Sequence, residues 1–147
     1  CPRWRENIEI LRSYNQPISF TQGLDLRIMT EEMAKALSTV KIKQVYVAWD
    51  NYEDKDIVLH GLDILLKYIK PYKITCYCLV GFKQPYVINE DLERVLTLKD
   101  LGVNPFAMGY IDFNNPQYKK SKEIKDFCRW VNMKATFKSV SWDEYKK

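Results

Sequence analysis

The feature that most constrains the fold of this chain is a regular alternation of two kinds of segment. Short runs rich in β-branched and aromatic residues predict strands, whereas longer stretches with apolar residues three or four apart predict helices. The predicted strands are Ile18–Phe20, Gln44–Trp49, Ile74–Val80 and Pro105–Tyr110. The predicted helices are Trp4–Tyr14, the segment that follows Thr30, Asp54–Ile69, Glu90–Leu101 and approximately Gln117–Asn132.

Strands that are separated by helices of this length pair in parallel through right-handed crossovers. The sequence therefore predicts an α/β fold with alternating βα units and a parallel sheet, built from about four strands and five helices. Four strands are too few to close a complete eight-stranded barrel. The two remaining architectures are a small open sheet and a fragment of a partial (β/α) barrel, and residues 1–147 are expected to form a single α/β unit.

Residues with strong positional preferences mark the ends of the predicted helices. Thr30 is a good N-cap, and Glu31 and Glu32 follow it where the helix dipole favours acidic side chains. Gly102 is expected to end the fourth helix as its C-cap. Pro116 is expected near the first turn of the fifth helix, where proline removes no hydrogen bond.

Basic residues are concentrated near the C-terminus, where residues 117–147 are expected to form a basic helix and tail. The whole chain has a formal net charge of +4, but this segment alone has nine lysines and arginines against four acids. A basic patch of this kind can bind nucleic acid or another polyanion. A solvated lysine-rich helix face has the same composition and is the favoured interpretation. The nine residues are Lys119, Lys120, Lys122, Lys125, Arg129, Lys134, Lys138, Lys146 and Lys147.

The cysteines Cys1, Cys76, Cys78 and Cys128 form no CxxC pair and have no histidine pattern beside them, so no metal site is predicted. We interpret them as buried thiols. Nothing indicates an oxidising compartment, and a cytoplasmic location is expected. No apolar run approaches the ~18 residues that cross a bilayer, so no membrane partner is expected.

Polar residues follow each predicted strand, at the strand ends that carry function in parallel α/β proteins. Gln22, Gly23, Asp25 and Arg27 follow the first strand, and Asp50 follows the second. Gly81 follows the third strand, and Asp112 follows the fourth. Ordinary turn formation would explain these residues. A further hypothesis is a self-sufficient α/β enzyme in which Asp25 and Asp50 act as an acid/base pair.

Two common kinds of catalytic machinery find no support in the sequence. The single histidine, His60, lies in the middle of a predicted helix, so a nucleophile with a histidine base is improbable. Neither GxGxxG nor GxxxxGK[ST] occurs, so no glycine-rich phosphate loop is present.

Several motifs, in order along nearly the whole chain, resemble radical S-adenosylmethionine proteins. Residues 20–27 (FTQGLDLR) resemble the fourth strand of that family, residues 46–50 (YVAWD) the fifth and residues 76–82 (CYCLVGF) the sixth. Residues 101–106 (LGVNPF), followed by Met108, are similar to the segment after the sixth strand, and residues 127–132 (FCRWVN) fit the closing part.

The resemblance implies part of a (β/α)6 barrel in which S-adenosylmethionine lies across the strand ends. By position it places Gln22, Asp25 and Arg27, with Gly23 between them, near the cofactor or substrate, and Asp50 beside them from the next strand. It implies backbone and apolar contacts near the adenine from Leu79, Val80 and Gly81. It identifies no catalytic residue and no metal ligand in this chain.

The chain departs from the family where the [4Fe–4S] cluster would bind, because it has no CxxxCxxC triad. The resemblance therefore implies the C-terminal part of a radical S-adenosylmethionine iron–sulfur oxidoreductase that is inactive alone. Its expected partners are the missing N-terminal half of the barrel, a substrate that the sequence does not identify, and further copies joined through exposed sheet edges. The alternative is a non-catalytic α/β binding module whose basic C-terminus contacts nucleic acid or an acidic partner.

Overall fold

The structure, a computed structural model, describes residues 2–147, in which helices and strands alternate up to the last strand and three helices follow it. The strands are β1 (Ile18–Leu24), β2 (Ile42–Ala48), β3 (Ile74–Val80) and β4 (Asn104–Gly109). The helices are α1 (Trp4–Arg12), α2 (Glu31–Leu37), α3 (Lys55–Leu66), α4 (Asn89–Asp100), α5 (Lys122–Asn132), α6 (Lys134–Ser139) and α7 (Trp142–Tyr145).

The four strands form one parallel sheet in the order β1-β2-β3-β4, which confirms the predicted α/β fold with alternating βα units. A helix separates each strand from the next, and each crossover adds a strand directly beside the preceding one. This sequential order differs from a doubly wound sheet, in which the order reverses at a switch point. It is the order that neighbouring strands of a (β/α) barrel have.

Two predicted boundaries differ from the structure by four residues or more, and the others differ by three or fewer. β1 continues to Leu24 instead of ending at Phe20, because a bulge between Phe20 and Leu24 lets pairing resume, with Leu24 opposite Val47. Helix α5 begins after Ser121, whose Oγ accepts a hydrogen bond from the Ile124 N–H at 3.2 Å. Pro116 therefore lies in the preceding loop and not in the first turn of α5.

Two short helices follow α5 where the sequence predicted a tail. Their buried aromatic residues pack on α5. The ring centroids of Phe137 and Trp130 lie 4.8 Å apart, and those of Trp142 and Phe127 lie 5.1 Å apart. The Trp130 indole N–H also donates a 2.8 Å hydrogen bond to the Val140 carbonyl. This aromatic cluster explains why a lysine-rich segment folds.

The chain divides into two compact units. Unit 1 contains the chain up to Ala48 and the segment Glu53–Thr75, and unit 2 contains Trp49–Tyr52 and Cys76–Lys147. Unit 1 buries aliphatic side chains such as Val45, Val47, Leu62 and Leu65, whereas the largest buried side chains of unit 2 are aromatic. None of the helices among residues 2–147 has the length and apolar character needed to traverse a bilayer.

Candidate functional site

In unit 1, Asp25 and Arg27 are brought together just after β1. The Arg27 guanidinium donates to both Asp25 carboxylate oxygens at 3.0 Å, and the Arg27 backbone N–H donates to Asp25 Oδ1 at 3.0 Å. The side-chain hydrogen bond from Arg27 is the main reason that the pKa of Asp25 lies below its ordinary value. Both side chains remain partly exposed, so the ion pair is accessible to a ligand.

Gln22 and Gly23 lie inside β1, not after it as the sequence predicted. Gly23 has a φ of +82°, a left-handed conformation that residues with a Cβ rarely adopt. It forms part of the bulge in which two positions of β1 have no counterpart on β2. Gln22 is exposed at this bulge.

A close backbone approach fixes the segment between Asp25 and Arg27. A Cβ on Gly61 of α3 would lie 2.0 Å from the Leu26 carbonyl oxygen, a distance that no side chain tolerates. Leu26 itself is buried. Only glycine therefore allows helix α3 to pack directly against the backbone that carries Asp25 and Arg27.

In unit 2, Asp50 and Leu79 are joined at the ends of β2 and β3. Asp50 Oδ1 accepts a 3.0 Å hydrogen bond from the Leu79 N–H. The Leu79 carbonyl accepts a 2.7 Å hydrogen bond from Arg94. Because the Leu79 N–H already has a partner inside the protein, Leu79 would meet a ligand chiefly through its side chain.

Arg94 of α4 is buried and holds these strand ends together. Its Nη1 donates to the carbonyl oxygens of Trp49 at 2.7 Å and Asp50 at 3.0 Å. Its Nη2 donates to the Leu79 carbonyl and, at 2.7 Å, to Asp91 Oδ1. Asp91 is also buried, so the charge of Arg94 is compensated where water is excluded.

Val80 and Gly81 complete the candidate residues of unit 2. The Val80 carbonyl accepts a 2.8 Å hydrogen bond from the Tyr110 N–H. Gly81 has a φ of +75°, and a Cβ there would lie 2.9 Å from Ile124 Cδ1. Both the conformation and the packing of the turn after β3 therefore require glycine.

Asp112, the acidic residue that follows β4, forms a turn. Asp112 Oδ1 accepts a 3.0 Å hydrogen bond from the Asn114 N–H. The acid/base hypothesis needs Asp25 and Asp50 to be available for proton transfer. Asp25 instead accepts hydrogen bonds from Arg27, and Asp50 accepts one from the Leu79 N–H. The contacts therefore favour binding and structural roles for these acids.

The cysteines among the described residues do not form a cluster site. Cys76 and Cys78 are buried on the packed face of β3, and the neighbouring Cys78 thiol, together with burial, raises the pKa of Cys76. No three histidine, cysteine, aspartate or glutamate side chains among residues 2–147 are grouped to hold a metal ion. These residues do not fit a [4Fe–4S] cluster, and Cys1 lies outside the described part of the chain.

Ion pairs neutralise part of the basic C-terminal segment. Lys122 and Arg129 both contact Asp126, at 2.8 and 3.2 Å. Lys146 contacts Asp143 at 2.7 Å. Acidic side chains are thus interleaved with the basic ones in this segment.

Sequence reasoning missed Arg94, Asp91 and Gly61. A signal for the first two was present, because Asp91, Arg94, Val95 and Leu98 have the spacing of a buried helix stripe. A charged pair three residues apart on such a stripe indicates a buried ion pair. No comparable signal marked Gly61, because glycine is required there only by the close approach of the Leu26 backbone.

Comparison with known proteins identifies no relative. No protein-family model matches the chain, and neither a curated protein nor a solved structure matches it.

Proposed function

We propose that this chain is the C-terminal part of a radical S-adenosylmethionine domain and that its strand ends contact S-adenosylmethionine and a substrate. The observation that carries the proposal is the sequential order of four parallel strands, each joined to the next through a helix. A segment of a partial barrel needs this order. The resemblance of residues 20–27, 46–50 and 76–82 then specifies which barrel family is meant.

The chemical groups of the candidate residues are of the kinds that would bind S-adenosylmethionine. Carboxylates such as Asp50 are suited to the ribose hydroxyls of a nucleoside, as acidic residues are in dinucleotide-binding folds. The partly exposed Arg27 is suited to the carboxylate of the methionine portion. In unit 1, Gln22 and the backbone around Gly23 offer polar and close-approach positions. In unit 2, the backbone around Val80 and Gly81 does the same. When bound, S-adenosylmethionine supplies the reactive 5′-carbon.

The described residues supply no ligand set for the iron–sulfur cluster, so the chain alone performs no reductive chemistry in this proposal. The cluster-binding triad would come from the missing N-terminal half of the barrel. The substrate-facing role of this chain is to bind and orient.

The reading frame that encodes the chain tests the proposal directly. A CxxxCxxC triad encoded upstream of Cys1 is expected, and its absence would overturn the assignment. The full-length product, reconstituted anaerobically with iron and sulfide, should show a 4Fe-type absorption band and should cleave S-adenosylmethionine in the presence of a reductant.

A matched pair of variants assigns the strand-end residues in that product. Asp50→Asn should weaken S-adenosylmethionine binding, measured by calorimetry. Asp143→Asn removes an exposed carboxylate that pairs with Lys146 near the chain end, and it should leave binding unchanged. Equal effects of the two substitutions would contradict the role of Asp50.

A further inference from the structure

Every hydrogen-bond donor of the buried Arg94 guanidinium is engaged. A guanidinium has five N–H groups in a fixed planar arrangement. Arg94 Nε donates to the Glu90 carbonyl at 3.4 Å, and the two terminal nitrogens donate to one carboxylate and three carbonyl oxygens. Arg94 is 3% exposed, so water does not replace these partners. A lysine in its place would have three N–H donors and no plane, and it could not make the same set of bonds.

Arg94 forms a closed set of contacts with Asp50 and Leu79. The Leu79 N–H donates to Asp50 Oδ1 at 3.0 Å, and the Leu79 carbonyl accepts from Arg94 Nη2 at 2.7 Å. Arg94 Nη1 in turn donates to the Asp50 carbonyl at 3.0 Å. Because the backbone and the side chain of Asp50 are both bonded within this set, neither can rotate without breaking a hydrogen bond. The carboxylate therefore has a fixed place relative to the end of β3.

The backbone beside Asp50 is held by further contacts of Trp49. Trp49 is fully buried, and its N–H donates to the Tyr77 carbonyl at 2.8 Å. Its carbonyl accepts from Arg94 at 2.7 Å, and its indole N–H donates to the Asn51 carbonyl at 2.9 Å. These contacts fix the chain on both sides of Asp50.

One oxygen of the Asp50 carboxylate is left for a ligand. Asp50 is exposed, and among residues 2–147 the Leu79 N–H is the one group that hydrogen-bonds its carboxylate, through Oδ1. Oδ2 is thus the acceptor that remains. A carboxylate oxygen can accept from a ligand hydroxyl, and the bond is strong because the acceptor is charged.

The buried ion pair of Arg94 and Asp91 supplies orientation that apolar side chains could not. An apolar pair of similar volume would avoid the desolvation of two charges and often packs at least as stably. Such a pair has no donors to direct the carbonyl groups of three residues. Asp91 is itself held, since its Oδ2 accepts from the Ile88 N–H at 3.3 Å. What the ion pair adds is therefore the geometry of the strand ends.

We propose that Arg94 is the positioning residue of Asp50. It holds the carboxylate so that Oδ1 stays on the Leu79 N–H and Oδ2 is available to a hydroxyl group of the ligand. The inference rests on the proposed function in taking that hydroxyl to belong to the ribose of a nucleoside. It adds a residue that is buried and acts on the ligand only through Asp50.

The first measurement uses the 147-residue chain without ligand. Arg94→Lys keeps a positive charge beside Asp91 but lacks the donors for three carbonyl groups. We expect hydrogen exchange of the Leu79 N–H to accelerate about tenfold relative to that of the Tyr110 N–H, which bonds to the Val80 carbonyl of the same unit. Equal acceleration of the two amides would overturn the proposal, because it would reflect general loosening of unit 2.

The second measurement compares adenosine with 2′,3′-dideoxyadenosine, which lacks both ribose hydroxyls, in NMR titrations of the same chain. The unchanged chain should bind adenosine about tenfold more tightly, as one hydrogen bond to a charged acceptor provides. Arg94→Lys and Asp50→Ala should each remove most of this preference, and the double variant should remove no more than Asp50→Ala does. A preference that Arg94→Lys leaves unchanged would overturn the proposal.

Two control variants separate positioning from a loss of stability. Arg129→Lys makes the same substitution at an arginine of unit 2 whose side chain is 61% exposed, and it should retain the preference for adenosine. Val95→Ala destabilises α4 at a fully buried position without removing a partner of Arg94. It should change the affinities for the two nucleosides by the same factor. A preference that Val95→Ala also removes would overturn the proposal.

The two measurements distinguish failure of this inference from failure of the proposed function. If the chain prefers adenosine and Arg94→Lys keeps that preference, the positioning role is wrong and the nucleoside site is supported. If Arg94→Lys accelerates exchange of the Leu79 N–H but the unchanged chain shows no preference for adenosine, the positioning role is supported. The ribose contact of the proposed function is then wrong.

Discussion

The two units fix their candidate residues by opposite physical means. Unit 1 positions Asp25 and Arg27 by leaving out a side chain, because Gly61 lets the Leu26 backbone rest directly on α3. Unit 2 positions Asp50 and Leu79 by adding a charge, because the buried Arg94 guanidinium binds Asp91 and three backbone carbonyls outside its own helix. Packing tolerates small readjustment, whereas a buried ion pair that loses one member leaves a charge without compensation. The residues that position the candidate site residues are therefore expected to differ between the units in how strongly their substitution destabilises the protein.

Removal of Arg94 should give the largest effect. Arg94→Met leaves the buried Asp91 carboxylate and three carbonyls without their donor, and such a change lowers the free energy of unfolding by about 3–5 kcal/mol. Urea denaturation measures it. The double variant Arg94→Met/Asp91→Leu should recover part of the loss, because it also removes the uncompensated carboxylate.

The exposed Arg129 of the same unit provides the control for Arg94. It pairs with Asp126 while remaining 61% exposed, so Arg129→Met should leave the free energy of unfolding nearly unchanged. A loss of equal size in the two methionine variants would contradict the idea that burial makes Arg94 special.

An added methyl group at Gly61 should give the next largest effect. Gly61→Ala places a Cβ 2.0 Å from a backbone oxygen, and overpacking of this kind costs about 1–3 kcal/mol. Alanine returns about 1 kcal/mol through its better helix propensity. We expect a net loss together with shifted amide resonances at Asp25 and Arg27. Asp63→Ala, at an exposed position of the same helix, should be nearly neutral, and equal behaviour of the two variants would show that α3 and Leu26 separate freely.

Asn132 tests how unit 2 protects the outer edge of its sheet. Its side-chain amide accepts from the Ala107 N–H at 2.8 Å and donates to the Ala107 carbonyl at 3.0 Å. β4 is the last strand in the sheet order, so Asn132 occupies backbone groups that would otherwise be open to another strand. Asn132→Leu should lower the free energy of unfolding by about 1–2 kcal/mol and increase self-association in light scattering. Asn114→Leu, in an exposed loop, is the control, and a strictly monomeric Asn132→Leu variant would contradict edge protection.

The exposed ion pair of unit 1 should give the smallest effect. The side-chain hydrogen bond from Arg27 lowers the pKa of Asp25, so the folded value lies below the unfolded value of about 3.9. The stabilisation is therefore complete above about pH 4 and is lost as the pH falls through the folded pKa. Arg27→Met should raise the pKa of Asp25 toward its ordinary value, as carboxyl carbon resonances would show in an NMR titration. An unchanged Asp25 titration would mean that the pair does not form in solution.

The sequence alone determined the class of the fold. Its alternating periods predicted all four strands and five of the helices, because the pattern of apolar residues reflects which face of each element is buried. It also identified Asp25, Asp50 and Gly81 as strand-end residues. The radical S-adenosylmethionine assignment and the self-association through sheet edges stay predictions.

The tertiary structure decided which of those residues touch and what holds them. The close approach of Gly61 to Leu26, the hydrogen bonds from Arg94 to three carbonyls and the amide of Asn132 on β4 each join residues at least 15 positions apart in the chain. Local propensity contains no term for such contacts. The extension of β1 through Gly23 has the same origin, because only pairing with β2 makes a left-handed residue part of a strand. Periodicity thus specified the elements, and packing between distant segments specified the geometry of the site.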